Sequence, residues 1–361
     1  MKTIQNTNWL RAILLLILLG AYGMSTRAQS KPPLISPGNK EMVCFVYHRF
    51  DDNRYASTNI SASVFRSHMN YLKDQKYKIL TLSEAVHWLK TGGNSSDRVV
   101  ILTIDDGYKS FYTYGFPILL EFGFKATVFI NTNHVGDKDY MSWEQLRKIN
   151  KAGMEIGCHS HAHGHFLDFS GQEMLNAFAR DLSMFKRELK EKLGIQSKVY
   201  SYPFGEFNEQ LELLIKNAGF SAACAQNSGV IDQSSDLWSL PRYPMGGPYA
   251  SLIGFIEKVN MHPLPVKWEK PESTIMTSNP PELTLCLDHE AIDLDQLQCF
   301  IHGDKECIIT FEKSTEGQVI KIRSINQLPN RRTLYTITAP RLDGKGWCWY
   351  SRLWINTDIE E

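Results

Sequence analysis

The segment GCHSHAHGHF, residues 157–166, sets four histidines at alternate positions: His159, His161, His163 and His165. Imidazole nitrogen suits zinc and its neighbours, and a hydrolytic metal site takes three protein ligands while leaving one position for water. A spacing of four occurs twice, His159 with His163 and His161 with His165, and spacing alone does not choose between the pairs. An Asp added to either pair meets the count, and Asp105-Asp106-Gly107 offers two. Adjacent carboxylates at a strand end point in different directions, so one can hold a cation while the other faces the reacting water. The competing readings are an ordinary Asp-Asp-Gly turn and an exposed, non-specific histidine tract.

These clusters need elements to bring them together. From residue 42 to about 225 the chain alternates β-rich runs with helical patterns. MVCFVYH precedes a helix over 64–75, in which Phe65, Met69 and Leu72 share a face. Ser83 is the expected cap of a helix that stops near Gly92, and VVILTI at 99–104 is a buried-strand run. Ser142 with Gln145 reads as a capping box. The strands KATVFIN, MEIGC, KVYSY and FSAACA follow, with helices between them. The alternation predicts an α/β fold: a parallel sheet, closed or nearly closed, with helices outside. Four polar clusters fall at strand carboxyl ends: Tyr47-His48, Asp105-Asp106-Gly107, the histidine run, and Tyr202-Pro203-Phe204-Gly205. In a β/α barrel those ends share one face, where active sites are built. We assign this domain to residues 40–262. Residues 263–281, punctuated by Pro263, Pro265, Pro271, Pro280 and Pro281, read as a linker, and 282–361 as a small all-β sandwich.

With 39 basic and 39 acidic residues among 361, the chain has no global field to recruit nucleic acid or an anionic membrane surface. Lys2 and Arg11 precede an apolar run from Ala12 to Met24 and a small-residue exit at Ala28. That run is shorter than the roughly 20 residues a spanning helix needs. Residues 1–28 are therefore expected to be a secretory signal rather than an uncleaved anchor, with a secreted or periplasmic product and no stable membrane insertion after cleavage. Seven cysteines in so long a chain are no disulfide framework, and their odd number leaves at least one unpaired in a monomer. Cys299 and Cys307 are near enough in sequence to pair across a hairpin, but are not assigned as a pair.

TIDDG at 103–107, HSHAH at 159–163 and YPFG at 202–205, in this order, resemble the polysaccharide deacetylase family, the NodB-homology group of carbohydrate esterases. The resemblance covers roughly residues 40–255. It implies a distorted, NodB-like β/α barrel holding one divalent metal, usually zinc, and removing acetyl groups from an N-acetylated amino-sugar polysaccharide. Carried over position by position, it makes Asp105 the base and Asp106, His159 and His163 the metal ligands. His161 and His165 then fall outside the ligand set, and Ser160 supports it by a hydrogen bond. The backbone N–H of Phe204 and the metal would stabilise the oxyanion. Two departures stand out. The acid commonly comes from a Leu-x-His motif near the domain's carboxyl end, which Met261-His262 matches poorly. A circularly permuted subgroup resembling poly-N-acetylglucosamine deacetylases carries the corresponding strand at the amino end, which points to His48 as the acid. The Arg that usually opens the Arg-x-Pro-Tyr motif is replaced by Ser201, and Arg242 in LWSLPRYP is the candidate substitute.

Two other functions share these features: a glycan-binding protein of the same fold with impaired catalysis, and an esterase acting on O-acetyl groups. Trp347, Trp349, Tyr350 and Trp354 could stack on sugars, but alternate strand positions face opposite sides, so they are assigned mainly to the core.

Overall fold

The computed structural model describes residues 40–92, 94, 96–302 and 307–360. The expected leader over 1–28 lies outside them. The chain opens with β1 (Glu41–Tyr47), a short ladder of β2 (Arg49–Phe50) and β3 (Asn59–Ile60), and α1 (Ala62–Asp74). It continues through β4 (Lys78–Leu80), α2 (Leu82–Thr91), β5 (Val99–Ile104), α3 (Phe116–Phe122), β6 (Thr127–Ile130), α4 (Trp143–Lys151) and β7 (Glu155–Cys158). The domain is completed by α5 (Gly171–Leu193), β8 (Val199–Ser201), α6 (Glu209–Asn217), β9 (Ala222–Cys224), β10 (Val230–Asp232), β11 (Tyr243–Pro244) and α7 (Leu252–Val259).

The strands run β1-β5-β6-β7-β8-β9 in parallel, with β10 antiparallel on β1. Leu240 bridges to Cys224 of β9, and three residues on Tyr243 pairs with Phe45 of β1. The segment 240–244 thus spans the gap between the two edges and closes a distorted barrel. Alternate residues of β1 divide between two cores: Val43, Phe45 and Tyr47 join one apolar cluster, Met42 and Cys44 the other. That is the pleat at work in a strand covered on both faces. Capping agrees with the sequence at Ser142–Gln145 but not at Ser83. The cap of α2 is Thr81, whose side chain and Glu84 exchange hydrogen bonds, and the Ser83 hydroxyl instead reaches Glu155. A Thr two residues earlier satisfied the same orphan N–H groups with a matching Glu at the third position.

The rest is all β: β12 (His262–Pro263), β13 (Val266–Lys270), β14 (Glu282–Leu287), β15 (Gln298–Ile301), β16 (Cys307–Lys313), β17 (Gln318–Ser324), β18 (Arg332–Pro340) and β19 (Trp347–Ile355). Two four-stranded sheets, β12-β19-β18-β15 and β13-β14-β17-β16, contribute Leu283, Leu285, Ile320, Ile322, Ile337 and Trp354 to one core, as a sandwich requires. The stretch expected as a linker, 263–281, is therefore partly sheet: β13 pairs along β14, its backbone groups satisfied despite the flanking prolines. Along β19, Trp354 enters the sandwich core while Leu353 and Ile355 enter the barrel's cluster, so one strand belongs to both. The described residues form one compact unit. Among the described residues no helix is long and apolar enough to cross a membrane.

Candidate metal centre and active site

Each candidate side chain leaves the barrel from a strand's carboxyl end. The N–H of Asp105, just past β5, donates to Tyr47 O of β1 at 2.9 Å, and His159 N, past β7, to Ile130 O of β6 at 2.9 Å. Tyr202 N, past β8, reaches Cys224 O of β9 at 3.1 Å. Each strand end thereby fixes its neighbour's. Among the described residues, six other than glycine have positive φ, and four of them are Asp106 (68°), Ser160 (69°), His163 (54°) and Phe204 (59°). Left-handed backbone costs of order 1 kcal/mol or more per residue, and its concentration here marks a site whose geometry overrides local preference.

Asp106 Oδ1 stands 3.4 Å from His159 Nε2 and 3.4 Å from His163 Nε2, and the two Nε2 atoms are 3.2 Å apart. Ligands about 2.0–2.1 Å from a tetrahedral ion lie about 3.3–3.4 Å from one another, so these three donors match one face of such a shell. The donor set fits a divalent transition metal. His159 donates Nδ1–H to Ser201 O at 2.8 Å, which turns the Nε2 lone pair toward the cluster. Burial and the neighbouring His159 charge push His163 down to about 4, leaving the ring neutral near neutral pH, as a ligand must be. Burial by itself would lower His159 too, but Asp105 and Asp106 outweigh it and raise the group. His161 is turned away: its Nδ1 meets Thr132 Oγ1 at 2.9 Å and lies 3.6 Å from Glu188 Oε2. His165 stacks flat on Phe204, ring centroids 3.7 Å apart.

Asp105 is fully buried beside this triangle, its Oδ2 3.9 Å from His159 Nε2. Arg242, 1% exposed on the closing segment, grips it with Nη1 to Oδ1 at 2.7 Å and Nη2 to Oδ2 at 2.8 Å. Arg242 also donates to Ser201 Oγ at 2.9 Å, and Ser201 Oγ donates to Asp105 Oδ2 at 3.2 Å. Ser201 thus stands where the motif described above usually has Arg, while the Arg242 guanidinium reaches the carboxylate from the closing segment beside β9. Burial would raise the Asp105 carboxyl; the Arg242 charge, His159 and the Arg242 hydrogen bonds together hold it below the usual carboxylate range.

The two candidate acids stand at opposite ends of the barrel. His48 follows the last residue of β1, next to the rung where Tyr47 faces Ile104, and its charge bears on both Asp105 and Asp106. His262 pairs with Glu41, the first residue of β1, at 2.7 Å. Six residues of strand separate those ends, about 20 Å. His262 is out of reach of the cluster.

Three residues that sequence reasoning passed over support the site. Asp181, on α5, accepts from His161 N and Ala162 N at 2.8 Å each and from Ser160 Oγ at 3.3 Å, while Ser160 Oγ accepts from His163 N at 2.8 Å. It tethers the loop that carries His159 and His163. Glu206, beside the Phe204 turn, is held by Arg331 from the loop before β18. A buried-face Asp at position 181 of a charged helix was the available signal; nothing in the local sequence links Glu206 to a residue 125 positions away.

The family model for polysaccharide deacetylase matches residues 92–223. That span contains Asp105, Asp106, His159, His163 and Phe204, with His48 and Arg242 outside it. The poly-beta-1,6-N-acetyl-D-glucosamine N-deacetylase of Staphylococcus aureus strain MRSA252 is 26% identical over 208 residues, 55% of this chain and 71% of that protein. Among solved structures, the Streptococcus pyogenes deacetylase PplD in complex with acetate aligns with a TM-score of 0.56 at 20% identity, covering 61% of this chain and 99% of that one. IcaB from Ammonifex degensii aligns at 0.50 and 24% identity, over 57% and 92%. These likenesses establish the NodB-like barrel fold.

Proposed function

We propose that this chain, which carries a polysaccharide deacetylase domain, is a secreted or periplasmic metal-dependent N-deacetylase of an amino-sugar polysaccharide such as poly-β-1,6-N-acetylglucosamine. The observation that carries the reading is the Asp106–His159–His163 triangle, sized for a tetrahedral ion, set against a buried Asp105 clamped by Arg242. A divalent ion on those three ligands, zinc by their chemistry, would lower the pKa of bound water and polarise an acetyl oxygen.

The chain's own residues supply the rest. Asp105 accepts the proton of the attacking water, and Arg242 keeps it ionised and oriented for that task. The Phe204 N–H, in a left-handed turn followed by Gly205 at φ 74°, donates to the oxyanion that develops on the acetyl oxygen as water attacks the carbonyl carbon. His48 gives its proton to the departing amine, so that the C–N bond breaks to release acetate. The S. aureus relative's name supports the substrate class, and the leader-like composition of residues 1–28 supports export.

The test is acetate release from β-1,6-linked N-acetylglucosamine oligomers by protein loaded with Zn2+ or Co2+, with acetylated xylan as the O-acetyl control. Turnover on the oligomers, falling by about a thousandfold or more in Asp105→Asn with bound metal retained, is expected. Metal binding without turnover on either substrate sinks the enzymatic reading, and turnover on xylan alone moves the activity to O-acetyl groups.

A further inference from the structure

The loop that carries Phe204 does not stand on the barrel alone. Glu206, two residues on and almost fully buried, receives Arg331 Nε on Oε1 at 2.7 Å and Arg331 Nη2 on Oε2 at 3.0 Å. Arg332 Nη1 adds a third contact to Oε1 at 3.1 Å. Both arginines belong to the β domain. Arg331 is itself pinned: its Nη1 donates to Ile359 O at 2.8 Å, its Nη2 lies 2.7 Å from Asp168 Oδ1, and its carbonyl accepts from Asn356 N at 2.7 Å. On the site side, Glu206 Oε2 lies 3.2 Å from His165 Nδ1, and the His165 ring lies flat on Phe204. The Arg332 guanidinium stands 5.1 Å from the centroid of the same Phe204 ring. A chain of fixed contacts therefore runs from the β domain through Glu206 and His165 to Phe204, the strained residue read above as the oxyanion donor.

We propose that Arg331 of the β-sandwich is a positioning residue for the Phe204 oxyanion donor, acting through Glu206 and His165, so that the second domain completes the active site. The inference rests on the reading of Phe204 given above. The physical reason is cost: a non-glycine residue at φ 59° relaxes unless its surroundings hold it, and a bidentate, buried arginine–carboxylate pair is among the stiffest clamps a protein has. A donor displaced by about 1 Å loses much of its transition-state contact without altering ground-state binding.

Full-length Arg331→Ala and Arg331→Lys test it, with kcat and KM for acetate release, bound zinc, and hydrogen exchange of residues 202–207 as readouts. Arg331→Ala is expected to lower kcat about 10–100-fold with KM changed by less than about threefold, zinc content intact and exchange across 202–207 accelerated. Arg331→Lys, charged but unable to grip both oxygens, should fall between it and the parent. Should Arg331→Ala not accumulate as folded protein, Glu206→Gln carries the same expectations. Unchanged exchange, a kcat within about twofold of the parent, or loss of zinc along with activity overturns the proposal. If the parent protein releases no acetate, the functional reading fails, while exchange across 202–207 still decides whether Arg331 holds the loop.

Discussion

At the scale of single residues, the four histidines of one short run have three different fates. Two face Asp106 at tetrahedral-edge distances, one is buried against Thr132, and one is a stacking partner for Phe204. Substitution should therefore be asymmetric. His159→Ala or His163→Ala is expected to abolish stoichiometric zinc binding, whereas His161→Ala keeps the metal and lowers the melting temperature, as metal analysis and thermal melts would show. A second residue-scale expectation concerns Asp105. Its folded pKa is depressed, so Asp105 stays ionised as pH falls below the ordinary carboxylate range, and if it is the base proposed above the acid limb of kcat/KM is expected to lie low. In Arg242→Gln the uncompensated burial raises Asp105, and the limb should move to higher pH. A limb that stays in place would show that Arg242 does not set the charge state of Asp105.

Among the elements, α1 is locked to the barrel by a polar residue in an apolar setting. His68 stacks on Phe255 of α7 at 4.1 Å, and its ring nitrogens meet Tyr47 Oη at 3.1 Å and Ala250 O at 3.0 Å. Burial lowers its pKa from 6.5 to about 4, the hydrogen bond to Ala250 opposing only in part. Its neutral form is what the fold accepts. The unfolded chain binds a proton below about 6.5 and the folded chain does not until about 4, so this contribution is fully present above 6.5 and is lost as pH falls through 4. The full effect is up to about 3 kcal/mol. His68→Gln should flatten the dependence of melting temperature on pH between 6.5 and 4; an unaltered slope would assign the acid sensitivity elsewhere.

For the whole molecule, the β domain is continuous with the barrel. Leu353 and Ile355 of β19 lie in the barrel's apolar cluster, Ser351 Oγ donates to Ser228 O at 2.9 Å, and Trp349 Nε1 donates to Ser228 Oγ at 2.9 Å. Burying an aliphatic side chain is worth about 1.5–3 kcal/mol, and a truncated barrel would expose the surface that receives two of them. Residues 40–262 expressed alone are expected to be insoluble or to melt well below the full-length protein, measured by solubility and thermal denaturation. A soluble fragment melting with the parent would mark the sandwich as a detachable module. The aromatic residues of β19 agree with the integral role: Trp354 is core and Trp349 packs edge-on against Tyr243, leaving Trp347 partly exposed.

Chain chemistry alone determined much of this protein. Alternating strand and helix patterns specified the parallel barrel, because apolar periodicity records which faces are covered. The Asp-Asp-Gly turn and the His-Ser-His-Ala-His run offered a ligand set because imidazole and carboxylate have few other reasons to gather at strand ends. It left His159–His163 and His161–His165 equivalent, since a loop's left-handed turns at Ser160 and His163 are invisible to spacing. It also left His48 and His262 as competing acids. The tertiary structure separated them by the length of β1, brought Arg242 across the barrel's closing seam onto Asp105, and seated Arg331 on Glu206. Each of those outcomes joins residues far apart along the chain, and such contacts are decided by how strands close and domains dock, not by the order in which their residues are written.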